Sequence, residues 1–259
     1  MTSYQKMLLQ IIGENGWDIF NHKMLLDDGR LSHKELNQAM RSFLNQGEIT
    51  QIEKGRYRRQ HFTDENVIAC FLVPDGGIAY WSALNMHGLT EQFPNFIMIQ
   101  NSARKGEKNI PGMGTTCKFI KVKPEKITGY QMHGYGNHTY SVTDVEKTII
   151  DCFDLPEYSG GYPELIKAFH KAKLNSTRMI KYSRITGNIS VIKRVAYLSE
   201  LLSKAGMEEY LQYAGKNINE RYTPFDFSLP HQGKFLNRWR LILNVTDEEI
   251  LAMAEPLKA

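Results

Sequence analysis

The sequence predicts an α+β protein in which an N-terminal winged helix-turn-helix is followed by a larger mixed α+β domain. Three observations predict this class. The first 46 residues carry apolar side chains at helical spacing, and a short basic hairpin pattern follows them. Beyond residue 63, helical and strand patterns alternate without internal repeats. We place the two modules at residues 1–62 and 63–259.

The bulk composition is typical of a globular chain. Hydrophobic residues make up 42% of 259 residues, the formal net charge is +4, and the pI is about 8.8. No stretch approaches the roughly 20 uninterrupted apolar residues of a membrane span, and the first residues indicate an amphipathic helix instead of a signal peptide. Cys70, Cys117 and Cys152 lie far apart, which favours buried thiols in a reducing compartment. We therefore expect a cytoplasmic protein with no membrane association.

Apolar residues at helical spacing open the first module. They predict a first helix, which Gly13 or Gly16 should end. Asn21 can cap a second, shorter helix that Gly29 stops. The apolar stripe of the first helix consists of Tyr4, Met7, Leu8, Ile11 and Ile12.

A third helix is predicted to begin at Ser32. Ser32 and Glu35 have the spacing of a capping box directly before an apolar run, and Gly47 should end the helix. A strand, a turn at Lys54 and Gly55, and a second strand then form a basic β-hairpin. Three helices followed by such a hairpin have the order of a winged helix-turn-helix.

The third helix and the hairpin give a candidate DNA-binding surface. Arg and Lys side chains read guanine edges, and Asn and Gln read adenine, when a helix enters the major groove. The helix residues expected to face the bases are Ser32, Lys34, Asn37, Gln38 and Arg41. The hairpin residues expected to contact phosphate or the minor groove are Lys54, Arg56, Tyr57, Arg58 and Arg59. Two alternatives stay open, because any solvated helix face carries such residues and some winged helices bind protein.

The second module is predicted to mix helices and strands. Helices are expected in ENVIACFLV, GIAYWSALNMHG, EKTIIDCF, PELIKAFHKAK, STRMIKYSRI, NISVIKRVAYLSELLSK and DEEILAMAE. Strands are expected in NFIMIQ, KFIKVK, GYQMHG, HTYSV and RWRLILNV. A second capping box, from Thr143 to Glu146, should open the helix of EKTIIDCF.

Four segments carry a resemblance to a known family. The winged helix, GIAYWSALNMHGLTEQ, YSVTDVEKTIIDCFDLPEYSGGYPELIKAF and LNRWRLILNV together resemble the AbiEi family of antitoxins and regulators over most of the chain. The resemblance implies a C-terminal antitoxin domain at 63–259 and a DNA role for residues 32–46 and 49–59. It also implies a type IV toxin–antitoxin system. There the antitoxin represses its own operon, often at inverted repeats, and opposes a nucleotidyltransferase-like toxin without forming a stable complex.

A run of basic residues in the second module is a further candidate surface. Nine Lys and Arg and two Glu lie between Pro163 and Lys204. A solvated helical face explains such a run, and a second surface for DNA backbone or RNA is the alternative. Tyr182 and Tyr197 lie among these cations and could stack on bases. The candidate residues are Lys167, Lys171, Lys173, Arg178, Lys181, Arg184, Lys193 and Arg194.

No group of residues indicates catalysis. Asp144 and Glu146 are better explained by a helix cap than by an acidic active site with Asp151. No Asp or Glu has a Lys two residues later, which a D…(D/E)-x-K nuclease would need. The histidines lack metal-ligand spacing, and no glycine pair precedes G-K-[ST]. We therefore expect no enzyme activity, no cofactor and no metal.

The sequence thus favours a transcriptional repressor that binds double-stranded operator DNA and acts as an antitoxin. The alternative is an interaction protein. In that case the winged helix and the larger domain would dock a partner protein without sequence-specific DNA binding.

Overall fold

The computed structural model describes residues 1–254, and its helices and sheets form the α+β structure that the sequence predicts. In the first module, three strands form an antiparallel sheet in the order β1-β3-β2. The sequence pattern does not predict β1. The elements of this module are α1 (Ser3–Asn15), β1 (Ile19–Asn21), α2 (His22–Asp27), α3 (His33–Gln46), β2 (Ile49–Glu53) and β3 (Arg56–Arg59).

Local capping sets the helix boundaries of the first module. The Ser32 N–H donates to the Glu35 carboxylate at 2.9 Å, and the Ser32 hydroxyl accepts the Glu35 N–H at 3.4 Å, so the capping box is confirmed. The Asn21 side chain accepts a backbone hydrogen bond in the first turn of α2 at 2.9 Å. Gly16 and Gly47 end α1 and α3 with φ values of 61° and 72°. This left-handed conformation suits glycine because it has no Cβ.

The second module contains eight of the described helices and two sheets. Its helices are α4 (Glu65–Phe71), α5 (Tyr80–Met86), α6 (Val145–Asp154), α7 (Tyr162–Lys171), α8 (Ser176–Thr186), α9 (Ile189–Leu201), α10 (Glu208–Asn217) and α11 (Asp247–Ala254). Its strands are β4 (Gly77–Ile78), β5 (Phe96–Asn101), β6 (Lys108–Asn109), β7 (Thr116–Lys121), β8 (Tyr130–Tyr135), β9 (His138–Thr143), β10 (Thr223–Pro224), β11 (Lys234–Leu236) and β12 (Leu241–Leu243).

A six-stranded mixed sheet forms the centre of the second module. Its order is β6-β7-β5-β4-β9-β8, with β5 parallel to β7 and β4 parallel to β9. Successive residues of a strand face opposite sides. Met98 and Ile120 therefore pack with helices α5 to α11 on one side, while Ile99 and Phe119 pack with α4 on the other.

Close backbone contact explains why β4 is a strand where the sequence pattern predicts a helix. A Cβ at Gly76 would lie 1.8 Å from the carbonyl oxygen of Gln100, and one at Gly77 would lie 2.5 Å from that of Ser141. Glycine at both positions lets β4 fit between β5 and β9. The predicted helix therefore begins only at Tyr80.

The N-cap of helix α6 lies one residue later than the predicted capping box places it. Asp144 is the N-cap in place of Thr143, and its carboxylate accepts the Lys147 N–H at 2.8 Å. The Glu146 carboxylate instead accepts the Asn175 N–H at 2.9 Å and so connects α6 to the start of α8.

A small second sheet lies near the end of the chain. Strand β12 pairs in parallel with β10 and antiparallel with β11. Helix α11 matches the predicted acidic helix, except that Glu255 of that prediction lies outside the described residues. Among residues 1–254, no helix is long and apolar enough to cross a bilayer.

The two modules share a hydrophobic core. The predicted boundary at residue 62 falls between β3 and α4. Ile19 and Ile52 from the first module nevertheless pack in one buried cluster with Ile68 and Phe119 from the second. The first module is thus packed against the α4 side of the central sheet.

Candidate nucleic-acid interface

Helix α3 presents a polar face to solvent. Leu36, Met40 and Phe43 are buried on its inner side, as the apolar stripe predicts. Its predicted base-facing residues Lys34, Asn37, Gln38 and Arg41 are all exposed, as is the N-cap Ser32. The side chains of Lys34, Gln38 and Arg41 make no polar contact with other residues of the described part of the chain. These groups are therefore free to bind a partner.

The start of α2 and the hairpin turn lie beside this face. His22 Nε2 lies 3.0 Å from Asn37 Oδ1, and the His22 N–H donates to the carbonyl oxygen of Gly55 at 2.9 Å. The rings of His22 and His33 stack with centroids 6.5 Å apart, and Lys54 is exposed in the turn. Sequence reasoning missed both histidines, although the Asn cap directly before His22 marks the start of α2.

Two hairpin residues predicted to contact DNA point into the protein. Tyr57 is 8% exposed, and its ring stacks with Phe20 at 6.2 Å between centroids. Arg58 is 2% exposed, and burial lowers the pKa of its guanidinium. That group donates to the carbonyl oxygens of Gln60, Phe62 and Pro111 at 2.8, 2.9 and 3.2 Å. The prediction that Tyr57 and Arg58 hold DNA is therefore wrong for this conformation, because both side chains join the hairpin to the rest of the chain.

The other hairpin cations differ in availability. Arg56 pairs with Glu53 at 3.0 Å, donates to the Leu72 carbonyl oxygen and lies over the Phe71 ring. Arg59 is 3.6 Å from Asp18 and keeps 40% of its side chain exposed. Lys54 and Arg59 are thus the hairpin cations best placed for phosphate contacts.

Arg58 and Lys54 should respond differently to removal. Arg58→Ala is expected to lower the free energy of unfolding by about 1–3 kcal/mol, because it removes a buried side chain and leaves the buried carbonyl oxygen of Phe62 without this donor. Lys54→Ala should change stability by less than about 0.5 kcal/mol. It should instead reduce the salt slope of DNA binding by about one. Chemical denaturation and binding titrations at several salt concentrations measure the two effects. Unchanged stability of Arg58→Ala would contradict its structural role.

The hairpin between β8 and β9 contacts the first module. Asn137 Nδ2 donates to the carbonyl oxygen of Asn15 at 2.7 Å, at the end of α1. The Asp18 carboxylate lies 3.1 Å from Nε2 of both His61 and His138. These contacts and the shared core hold the winged helix in one orientation against the second module.

Two of the eight residues of the predicted second surface are buried. Lys193 is fully buried, and its Nζ donates to Asn219 Oδ1 at 2.8 Å and to the Arg221 carbonyl oxygen. Arg194 is 6% exposed and donates to the Phe225 carbonyl oxygen at 2.8 Å. The surface prediction is wrong for this pair, which instead anchors residues 219–225 to α9.

The other six residues of that prediction lie on α7, α8 and the segment between them. Lys167 is 3.2 Å from Glu164, and Arg178 is 3.6 Å from Glu146. The four that are exposed without an ion pair among residues 1–254 are Lys171, Lys173, Lys181 and Arg184. Tyr182 is buried and donates to Asp144 at 2.6 Å, so it offers no stacking surface.

The acidic residues considered for catalysis have structural contacts. Asp144 caps α6 and accepts the hydrogen bond from Tyr182. Asp151 is 2% exposed and pairs with the fully buried Lys147. Nowhere in residues 1–254 do three or more His, Cys, Asp or Glu side chains form a group that could hold a metal ion.

Comparison with known proteins relates the fold of the chain to that of a solved structure. No protein-family profile matches it, and no curated protein matches its sequence. The crystal structure of the RV2827C protein from Mycobacterium tuberculosis is similar, with a TM-score of 0.63 over 97% of this chain and 94% of that chain. Because the sequence identity is 13%, this likeness concerns the fold. The two proteins thus share one arrangement over nearly their whole lengths, in which an N-terminal helical region is followed by a larger α+β domain.

Proposed function

We propose that the chain is a DNA-binding transcriptional regulator that represses its own operon as a type IV antitoxin. The observation that carries the proposal is the outward face of α3, where Lys34, Gln38 and Arg41 are exposed and have no polar partner in the described chain. A helix with such groups in its first turns fits the major groove and can read base edges. The cytoplasm is the expected compartment.

The second part of the proposal, antagonism of a nucleotidyltransferase-like toxin, rests on the sequence resemblance. It is carried by YSVTDVEKTIIDCFDLPEYSGGYPELIKAF and the segments around it, which form the central helices α6 and α7. The antagonism would proceed without a stable complex and without catalysis by this chain.

Binding to the DNA upstream of the protein's own gene tests the regulatory proposal. The titration is repeated across a salt series beside scrambled DNA of equal length. We expect sequence-preferring binding whose affinity falls steeply as salt rises, because cations that contact phosphates release counterions. Weak binding that is equal on both DNAs would contradict the proposal.

A docking module for a partner protein is the second candidate. The observation that favours it is the hairpin, in which Arg56 and Arg58 contact the rest of the chain and leave few cations for phosphate. The double change Lys34→Ala with Arg41→Ala distinguishes the two functions, because both side chains are exposed and the core that the modules share stays intact. A stoichiometric partner protein retained by both forms would favour docking, whereas DNA retention lost with the double change would favour the regulator.

A further inference from the structure

A cleft of about 490 Å³ lies between the first module and the second. Ligand pockets have volumes of roughly 300–1,000 Å³ and occur preferentially between domains. Three walls enclose this space: the first module, helix α4 with the turn that follows it, and the β8–β9 hairpin. We call it the inter-module cleft. None of the residues that line it belongs to α3.

The sheet of the first module forms one wall of the inter-module cleft. Asn21 of β1 is the register partner of Arg56 of β3, so their side chains are neighbours on one face of this sheet. Phe20 and Tyr57 alternate with them and pack into the core of the first module. Arg56 reaches the second module, where its Nη1 donates to the carbonyl oxygen of Leu72. The face that carries Asn21 and Arg56 is therefore turned toward α4.

Each wall of the cleft contributes one aromatic ring. Trp17 comes from the first module, Phe71 from α4 and Tyr140 from β9. All three side chains are partly buried. Met24 and Met132 add flexible apolar groups to the lining. Because aromatic rings pack well against one another in offset or edge-on arrangements, these walls favour a flat aromatic molecule.

Hydrogen bonds join the three walls in pairs. Asn137 of the hairpin donates to the carbonyl oxygen of Asn15 in the first module at 2.7 Å. The Cys70 thiol of α4 donates to the Ser141 carbonyl oxygen of the hairpin at 3.8 Å. The contact of Arg56 with the end of α4 joins the remaining pair. The walls are thus positioned without a ligand, which lowers the entropic cost of binding one.

The charged groups at the cleft balance one another. Arg56 and Asp75 are the charged side chains among its lining residues. Arg56 and Lys105 share the carboxylate of Glu53. Asp75 accepts two hydrogen bonds from Ser102. Since these two cations and two carboxylates cancel, the cleft favours an uncharged ligand.

Two neighbouring donors in the cleft retain unused N–H groups. Asn21 caps α2 through Oδ1, and its Nδ2 has no polar partner among residues 1–254. Arg56 makes its polar contacts through Nη1, which leaves Nε and Nη2 without a partner in the same part of the chain. A hydrogen-bond acceptor on the ligand, such as a carbonyl oxygen, would satisfy these donors.

We propose that the inter-module cleft binds a small, uncharged aromatic molecule whose acceptor atom faces Asn21 and Arg56. The rings of the three walls enclose its flat part. A nucleic-acid strand fits this lining poorly, because its phosphates need a surplus of cations. The site is separate from the α3 face and does not rest on the regulatory proposal.

Coumarin, an uncharged bicyclic lactone, is a suitable probe for nuclear magnetic resonance on the isotope-labelled full chain. Its three tryptophans, Trp17, Trp81 and Trp239, give three indole N–H signals, and Trp17→Phe identifies the first. Coumarin should shift the Trp17 signal and leave that of Trp239, which is 2% exposed in the other core, in place. Calorimetry should give a dissociation constant below about 1 mM, a modest affinity for so small a ligand.

Two variants with matched controls test the lining. Phe71→Ala should weaken coumarin binding about tenfold, whereas Phe93→Ala, at an 82% exposed position outside the cleft, should not. Asn21→Ser should weaken binding about fivefold, because serine still caps α2 but lacks the amide donor. Asn175→Ser, the same change at the N-cap of α8, is its control. Thermal melts show which variants keep the fold, and Asn21→Ser carries the test if Phe71→Ala melts early.

Several outcomes would overturn the proposal. They are a Trp17 signal that coumarin does not move, shifts confined to the other two tryptophans, and equal weakening by a variant and its control. Tighter binding of coumarin-3-carboxylate than of coumarin would refute the uncharged class of ligand. These measurements use no DNA, so their failure leaves the regulatory proposal untouched.

Discussion

Replacing Asp151 by alanine is expected to lower the free energy of unfolding by about 3–5 kcal/mol, because the change strands a buried positive charge. The Asp151 side chain is 2% exposed and that of Lys147 is fully buried. Asp151 also accepts a hydrogen bond from Gln100 Nε2 at 3.0 Å. Urea denaturation followed by circular dichroism measures the loss. Since small domains are stable by only about 5–15 kcal/mol, the variant should retain only a small free energy of unfolding.

The environment of this pair explains the size of the expected effect. Burial raises the pKa of Asp151, while Lys147 and Gln100 act against that rise. Gln100 is itself fully buried, and its amide also contacts the hydroxyls of Tyr80 and Tyr130 at 3.1 Å each. Removing the carboxylate therefore takes one hydrogen bond from Lys147 and one from Gln100, at the centre of a connected network.

Two control variants separate charge from packing. The double change Lys147→Met with Asp151→Leu removes both charges and should restore most of the stability, because buried ion pairs are often replaceable by apolar pairs. Glu14→Ala breaks a surface pair with Arg30 whose Glu side chain is 51% exposed. It should leave the free energy of unfolding nearly unchanged, because solvent screens an exposed ion pair. If Asp151→Ala lowered the free energy of unfolding as little as Glu14→Ala does, the Asp151 carboxylate would not be what stabilises the buried Lys147 cation.

The first module could be predicted from the sequence because its signals are local. The Ser32–Glu35 box, the Asn21 cap and the glycines after α1 and α3 act within one helical turn, and all of them are in place in the structure. Strand β1 escaped prediction because its three residues gain hydrogen bonds only from β3, more than 30 residues later in the chain. A pattern of three residues does not indicate such a partner.

The second module shows a similar limit. Most of its helices follow the apolar periodicity, but the pattern that begins at Gly77 gives a strand before it gives a helix. What decides this is the close approach of the β5 and β9 backbones, which only glycines permit. Helix α10 is missing from the sequence prediction, and two of its side chains, Tyr210 and Ala214, are buried.

The candidate site was predictable on α3 and less so elsewhere, because charge in a sequence does not reveal burial. Lys34 and Arg41 follow from helix periodicity, which places them opposite the core stripe. Arg58, Lys193 and Arg194 carry the same charge, yet they bind main-chain carbonyls far along the chain. Those partners are set by the tertiary fold.

Removing the α3 groups that we propose to read bases is expected to lower operator affinity strongly. Asn37→Ala and Arg41→Ala should each cost about 1–3 kcal/mol at the operator, roughly five- to 150-fold in affinity. The affinity of the Asn37→Ala variant for scrambled DNA should be close to that of the unsubstituted protein, since an uncharged amide contributes no counterion release. Gln212→Ala, an exposed amide on α10, is the matched control. Equal losses on operator and scrambled DNA would mean that these side chains contact phosphate instead of bases.

The contact between His22 and Asn37 makes the same experiment more specific. His22 Nε2 lies 3.0 Å from Asn37 Oδ1, so the imidazole can fix which way the amide faces. If that orientation matters, His22→Ala should weaken operator binding, and the loss should largely vanish once Asn37 is already alanine. A double-mutant cycle at constant salt measures this coupling, expected at about 0.5 kcal/mol or more for residues in contact. If the affinity losses of His22→Ala and Asn37→Ala were strictly additive, His22 would contact the DNA independently of Asn37. The start of α2 would then be a separate part of the interface.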